Sequence, residues 1–459
     1  MKRYNVTKYG VIPNIDELQT EKIQNLINSL DEGGEIYFPK GTYNLSTIFL
    51  RDNITINIAK GAKILGPLDF NEYAKLEPVD FKRYQDVSHS YFNCSLFVAK
   101  NCNNITFKGR GIVDLRSVWD EENINDMVHR GAKIIALKEC NNVLIENLDL
   151  RYATDLAVYF TYCKNVIVRG IKLKVYIDGI SPDNCKNVLI ENCHVISGDD
   201  GIVFKSSYNL NRLEVMDGCI VRNCLVQSRC NALKFGTESN GGFKNIHIEN
   251  IKIKNTRISG IAIESVDGAH IDNLTFNNIE MENVIAPIFI HLGDRLRGPE
   301  GSEVGSISNI KISNLTSKGP YVPYKTVAWN YVSFKNNDLV QYPWSLNYLT
   351  DKKELKALEN TPWQFTCNVC GFMDKRIKYI TLENITLELN GGVKEYNREV
   401  PERGLEYPEV FTYGTILPAS GIYFRHIENL KIKNFKLTTI KEDSRPPLCF
   451  DDVINSTIE

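Results

Sequence analysis

The stretch Lys186-Asn187-Val188-Leu189-Ile190-Glu191-Asn192 decides the fold, because the chain writes it again and again. Earlier copies read Asn103-Asn-Ile-Thr-Phe107, Asn141-Asn-Val-Leu-Ile-Glu-Asn147 and Lys164-Asn-Val-Ile-Val-Arg169. A later one reads Lys244-Asn-Ile-His-Ile-Glu-Asn250, and further copies start near Ser308, Lys378 and Glu428. The tightest copies lie roughly twenty to twenty-five residues apart, the mark of a stacked repeat. Each copy holds one or two short strands with period-2 alternation, too little to bury a face alone, so stacking on neighbours must supply the core. The spacing predicts the rungs of a right-handed parallel β-helix, an all-β solenoid.

The recurrent Asn has a physical task at the corners between strands. It tolerates left-handed backbone angles and can bond its own kind one rung away. The Cys residues that accompany it (Cys102, Cys140, Cys163, Cys185, Cys193, Cys219, Cys224, Cys230) read as small buried hydrophobes stacked between rungs. Twelve Cys also allow disulfides. Met1-Lys2-Arg3-Tyr4 is followed by no apolar signal segment, however, so the expectation is reduced thiols in a cytoplasmic protein, or a secreted one if an upstream signal is removed. Cys367 and Cys370 have the spacing of a redox or zinc pair, but no second Cys/His pair lies nearby to complete a site.

A solenoid grows by adding rungs, so 459 residues read as one β-helix domain. Its first 66 residues form a cap. Tyr4 to Gly10 is expected as a strand. A capping helix with Ile23, Leu26, Ile27 and Leu30 at helical spacing follows, closed by Gly33-Gly34. Two stretches, 319–362 and 391–418, break the repeat and are expected as loop insertions. The first carries Tyr321, Tyr324, Trp329, Tyr331, Trp344 and Tyr348, with Trp363 just beyond, and aromatic loops of this kind often flank a cleft. A net charge of −2 gives no case for nucleic acid, and no apolar run is long enough to span a membrane.

The chemistry lies where the repeat acquires acids. Asp178-Gly-Ile-Ser-Pro-Asp183-Asn-Cys185 is followed one rung later by Gly198-Asp199-Asp200-Gly201 and Lys205. Stacked strands sit about 5 Å apart, so Asp178 is expected near Asp199 and Asp200. Carboxylates crowded on one face repel, which holds a proton on one while another stays ionised. That is the requirement for cleaving a glycosidic bond.

These motifs, with the cap, the Pro39-Lys-Gly-Thr-Tyr43 turn and Gly109-Arg-Gly-Ile-Val-Asp114, resemble glycoside hydrolase family 28, the polygalacturonase-like family, along nearly the whole chain. The resemblance implies a metal-free, cofactor-free inverting mechanism. Asp199 would be the general acid, and Asp178 and Asp200 would activate water. Two departures stand out. The family's Gly-His-Gly falls on Cys230-Asn231-Ala232, so the His is absent, and Lys234 follows. Its Arg-Ile-Lys falls on Ala262-Ile263-Glu264, so the cations that grip a substrate carboxylate are absent. A carboxylate beside Glu264 would be repelled, which favours a neutral sugar such as rhamnose in the leaving group. Lys234, Lys205, Arg229, Asn231, Asp183 and Glu264 are the expected substrate-binding residues. Less weight falls on Glu238, His291, Asp294 and Arg295 as further contacts.

The reading is therefore an exo-acting glycosidase on an α-linked, uronate-containing pectic chain, of rhamnogalacturonan type. A lyase or epimerase on the same scaffold, and a sugar-binding β-helix without turnover, are the alternatives. Carbohydrate is the expected partner.

Overall fold

The computed structural model describes residues 1–118, 131–320, 364–373, 375–402, 408–414 and 416–459. The aromatic residues from Tyr321 to Trp363, and the insertion expected over 319–362 almost entirely, lie outside these. The fold is an all-β parallel β-helix, with one α-helix, Thr20–Asn28, among the described residues. Internal contacts divide it into two compact units, Met1–Ser197 with Ser207–Cys224, and Gly198–Ser206 with Leu225–Glu459.

In the first unit the repeated phrase builds successive parallel rungs. Asn141–Glu146, Lys164–Arg169, Lys186–Glu191 and Met216–Arg222 pair so that Val143, Val166, Val188 and Cys219 lie in register. These four are buried, while Leu144, Ile167 and Leu189 between them are only half-buried, as period-2 alternation requires. In the second unit the strands are longer. Phe243–Ser265, His270–Leu292, Ser306–Lys318, Ile377–Gly391 and Ile422–Lys441 stack in parallel and run through the corners.

Asn makes those corners possible. Asn104, Asn142, Asn165 and Asn187 all have φ between 55° and 60°. Their side chains form a ladder, with Asn142 donating to Asn104 at 3.1 Å and Asn187 to Asn165 at 3.2 Å. The second unit repeats the device, Asn384 donating to Asn314 at 2.8 Å and Asn434 to Asn384 at 2.9 Å. Replacing Asn165 by Ala should cost about 1–3 kcal/mol, the left-handed backbone penalty plus a lost bond. Asn165→Gly should lose less, because glycine accepts the backbone angle. Urea unfolding midpoints in the order Asn, Gly, Ala are expected. An Ala variant as stable as the Gly variant would contradict this account of the corners.

The twelve Cys are free, and eleven are buried, Cys367 and Cys370 included. Cys140 N donates to Cys163 Sγ at 3.3 Å and Cys163 N to Cys185 Sγ at 3.4 Å, so these thiols stack rung on rung as expected. At the start of the chain Ile23, Leu26 and Ile27 of the helix are buried. The strand expected from Tyr4 to Gly10 is shorter. Only Arg3–Asn5 is extended, and Val6–Tyr9 coils into a 3₁₀ turn. Asn5 Oδ1 accepts from Thr7 N at 3.1 Å, a local bond that displaces the strand ladder. In the second interruption, Val410 and Phe411 pack with Phe365 onto Ala262 and Phe289.

Candidate active site

In the first unit, Asp178 lies between the strands Lys172–Val175 and Ile180–Asp183. It is buried, and its carbonyl accepts from Ala157 N at 3.0 Å. Asp183 is fully buried at the end of its strand. Its carboxylate accepts from Tyr159 Oη at 2.9 Å, Ser207 N at 2.9 Å, Asn209 Nδ2 at 3.0 Å and the Ser207 hydroxyl. Four donors from the protein saturate it. The expectation that Asp183 binds substrate is corrected: it ties the Ser207–Asn209 segment to the rung that carries it.

In the second unit, the Asp199-Asp200 doublet sits on a turn that only glycine permits. Gly201 N donates to Asn231 O at 2.8 Å, and a Cβ on Gly201 would lie 2.6 Å from Ala232 O. Ser228 Oγ donates to the Asp199 carbonyl. The two acids then part. Asp199 is half-buried, whereas Asp200 is 4 % exposed. Asp200 Oδ1 accepts from Asn231 N at 3.1 Å and Asn231 Nδ2 at 3.0 Å. Its Oδ2 lies 3.4 Å from Lys234 Nζ. Asn231 therefore belongs to the site by holding Asp200.

Lys234 is 2 % exposed and meets two more carboxylates, Glu409 at 3.6 Å and Glu264 at 3.8 Å. One ammonium faces three buried acids, so they cannot all ionise freely. Burial pushes the Asp200 carboxyl up and Asp199 adds to this, while Lys234, Lys205 and Asn231 oppose it. Burial, reinforced by the Asp200 and Asp199 charges, raises Glu409 to about 7 against the pull of Lys234. Glu264 is pushed well above the usual range, again mainly by burial. Glu264 is thus no exposed repelling charge. Fully buried and favouring its proton, it offers a substrate carboxylate neither repulsion nor a cation, and the Coulomb argument against galacturonate is corrected.

The remaining cations are also engaged. Lys205 Nζ donates to Glu238 at 2.8 Å, and Arg297 donates to the other Glu238 oxygen at 2.9 Å. Arg229, expected among the substrate-binding residues, is buried, 8 % exposed. Arg295 grips Asp267, and His291 Nδ1 lies 3.1 Å from Tyr413 Oη; both pairs have the character of structural ties. Glu409 is the residue that sequence reasoning missed. It stands in an interruption of the repeat, where no rung register assigns it a neighbour.

The family model for Glycosyl hydrolases family 28 matches residues 52–321, more than half of the chain. The chain belongs to this family. Among family 28 relatives, a "Probable polygalacturonase" of Vitis vinifera is 24 % identical over 263 residues, 53 % of each chain. An "Exo-poly-alpha-D-galacturonosidase" of Dickeya chrysanthemi is 22 % identical over 258 residues, 44 % of this chain and 42 % of that protein. The chain thus spans about half the length, or less, of these curated relatives. The family 28 exopolygalacturonase of Yersinia enterocolitica superposes with a TM-score of 0.71 at 17 % identity, covering 100 % of this chain and 79 % of that one, a likeness of fold.

Proposed function

We propose that the protein is an inverting glycoside hydrolase acting on a pectic, uronate-containing oligosaccharide. One observation carries the division of labour: the adjacent acids Asp199 and Asp200 stand in unlike environments. A general acid must reach the leaving oxygen, and Asp199 is the half-exposed member. A base must be ionised and fixed: burial raises the Asp200 carboxyl, and Lys234 and the two Asn231 donors act against that rise while holding the group in place. Asp178, one rung earlier in sequence, completes the trio as the second group on the attacking water. The family membership supports the same assignment. A lyase would need a cation free to neutralise the uronate, and Lys234 is engaged by three carboxylates.

Exo action has its support in the second unit. Lys234, Ala262 and Phe289 lie in register, and Phe411, Val410 and Phe365 cover Ala262 and Phe289. The segment that covers them also brings Glu409 beside Lys234, and the relative named as an exo-galacturonosidase supports entry of the chain by its end. The test is a panel of defined pectic oligosaccharides. New reducing ends without the ultraviolet absorbance of an unsaturated uronate, released as one short product, are expected. Unsaturated products would replace the hydrolase with a lyase, and a random ladder of lengths would remove exo action.

The leaving group is proposed to be a neutral sugar, as in a galacturonosyl–rhamnose unit. Ala262 and Glu264 supply no cation there, and Lys234 is already shared. Loss of a charge-assisted contact costs about 1.5–3 kcal/mol, or roughly ten- to a hundredfold in kcat/KM. Rhamnogalacturonan oligomers should exceed galacturonic acid oligomers of equal length by that margin. Equal activity on both would refute this preference.

A further inference from the structure

We propose that Lys234 is a positioning residue for Asp200, and that Glu409 competes with Asp200 for its ammonium, so that the segment bearing Glu409 sets how firmly the base is held. The proposal rests on the reading of Asp200 as base. Its geometry is contained within the second unit. Lys234 Nζ lies 3.4 Å from Asp200, 3.6 Å from Glu409 and 3.8 Å from Glu264, three near-equal claims on one charge. The Asp200 oxygen opposite Lys234 is fixed by both Asn231 donors, so a change in the ammonium acts on a carboxylate that cannot turn away. Glu264 stands farthest from Lys234 and is pushed well above the usual carboxylate range, so the nearer contest lies between Asp200 and Glu409.

Glu409 is also a fixed group. Its backbone N donates to Thr412 Oγ1 at 2.9 Å, and Asn368 Nδ2 donates to Val410 O at 2.9 Å. Val410 and Phe411 are buried in the apolar cluster over Ala262 and Phe289. An acid carried by an insertion is thereby anchored beside a cation carried by a rung.

The charged groups around these three are Asp199 and Lys205 beside Asp200, and Arg295 beside Glu264. The signs then follow. Lys234 favours ionised Asp200, so its removal should raise the pH at which activity appears on the acidic side. Glu409, raised to about 7, draws the ammonium away from Asp200 only in the upper part of the limb where it is ionised, so neutralising it should lower that pH by a smaller amount. Two neighbours of one base should thus move the acidic limb of the kcat/KM profile in opposite directions, Lys234 by about one pH unit and Glu409 by less. A merely structural role would lower activity without moving the limb.

The experiment uses the full chain and the pectic oligosaccharide on which it turns over. Asp200→Asn, Lys234→Met, Lys234→Arg and Glu409→Gln are compared with the parent across pH, each checked for an unchanged thermal transition. Glu409→Gln is nearly isosteric and tests the proposal even if Lys234→Met fails to fold. The expected result is a limb shifted down in Glu409→Gln and up in Lys234→Met, with Lys234→Arg close to the parent. A folded Glu409→Gln with an unmoved or upward limb overturns the proposal. Substantial turnover by Asp200→Asn would instead overturn the reading of Asp200 as base, so the two failures are told apart.

Discussion

Asp199→Asn should lower kcat by a hundredfold or more while leaving the fold intact. General-acid assistance is typically worth about a hundred- to ten-thousandfold, and an amide cannot protonate the leaving oxygen. The fold should survive because the exchange is nearly isosteric and the Asp199 carbonyl that accepts from Ser228 is unchanged. The loss should also depend on the leaving group. A substrate with an activated aryl leaving group, which needs no proton, should recover much of its rate. Near-parental turnover of a natural oligosaccharide by Asp199→Asn would remove this residue from the acid role.

The second large effect concerns the base. Asp200→Asn should cost a comparable hundredfold or more, and so should Asp178→Asn. The two together should lose little beyond either alone, because both serve one water. Asp200→Asn should still fold: it strips one acid from Lys234, yet Glu409 and Glu264 remain at 3.6 and 3.8 Å to partner the buried ammonium. Steady-state rates for the two single variants and the double variant give the test. Fully multiplicative losses would mean that the two aspartates act on different events.

The coil was legible because its corner chemistry is written in residue types. An Asn that bears a left-handed angle and bonds the next Asn leaves a periodic trace in sequence, and the alternating Val and Ile show which face turns inward. The place of the acid doublet was legible for a related reason, since Gly201 marks a close backbone approach beside it. The partners of the charged residues were not legible. Lys205 meets Glu238 where the register shifts between Phe204 and Ser206, so counting strand positions does not pair them. Asp183 looked available because it sits beside the acids in a shared motif, but Tyr159, Ser207 and Asn209 close on it from elsewhere in the chain. Glu409 enters from an insertion with no period at all. Its neighbours follow from how Val410 and Phe411 pack, which is a property of three-dimensional fit rather than of spacing.

The dominant departure from the family pattern is therefore electrostatic. Where the resemblance expects a His and then an Arg and a Lys, the second unit has Asn231, Ala262 and Glu264 around the single ammonium of Lys234. On the proposed reading the cation faces the base, Asp200, rather than the substrate. On that reading such a change would preserve hydrolysis while altering which sugar the site accepts, because holding water and gripping a uronate are separate tasks.

The central claim, hydrolysis with inversion by these three aspartates, is tested most directly by proton NMR of the first product released from a defined α-linked pectic oligosaccharide. The account predicts that the newly formed reducing end appears first as the β-anomer and only later equilibrates by mutarotation. An initial α-anomer, or an unsaturated product with the vinylic proton signal of a 4,5-double bond, would contradict it.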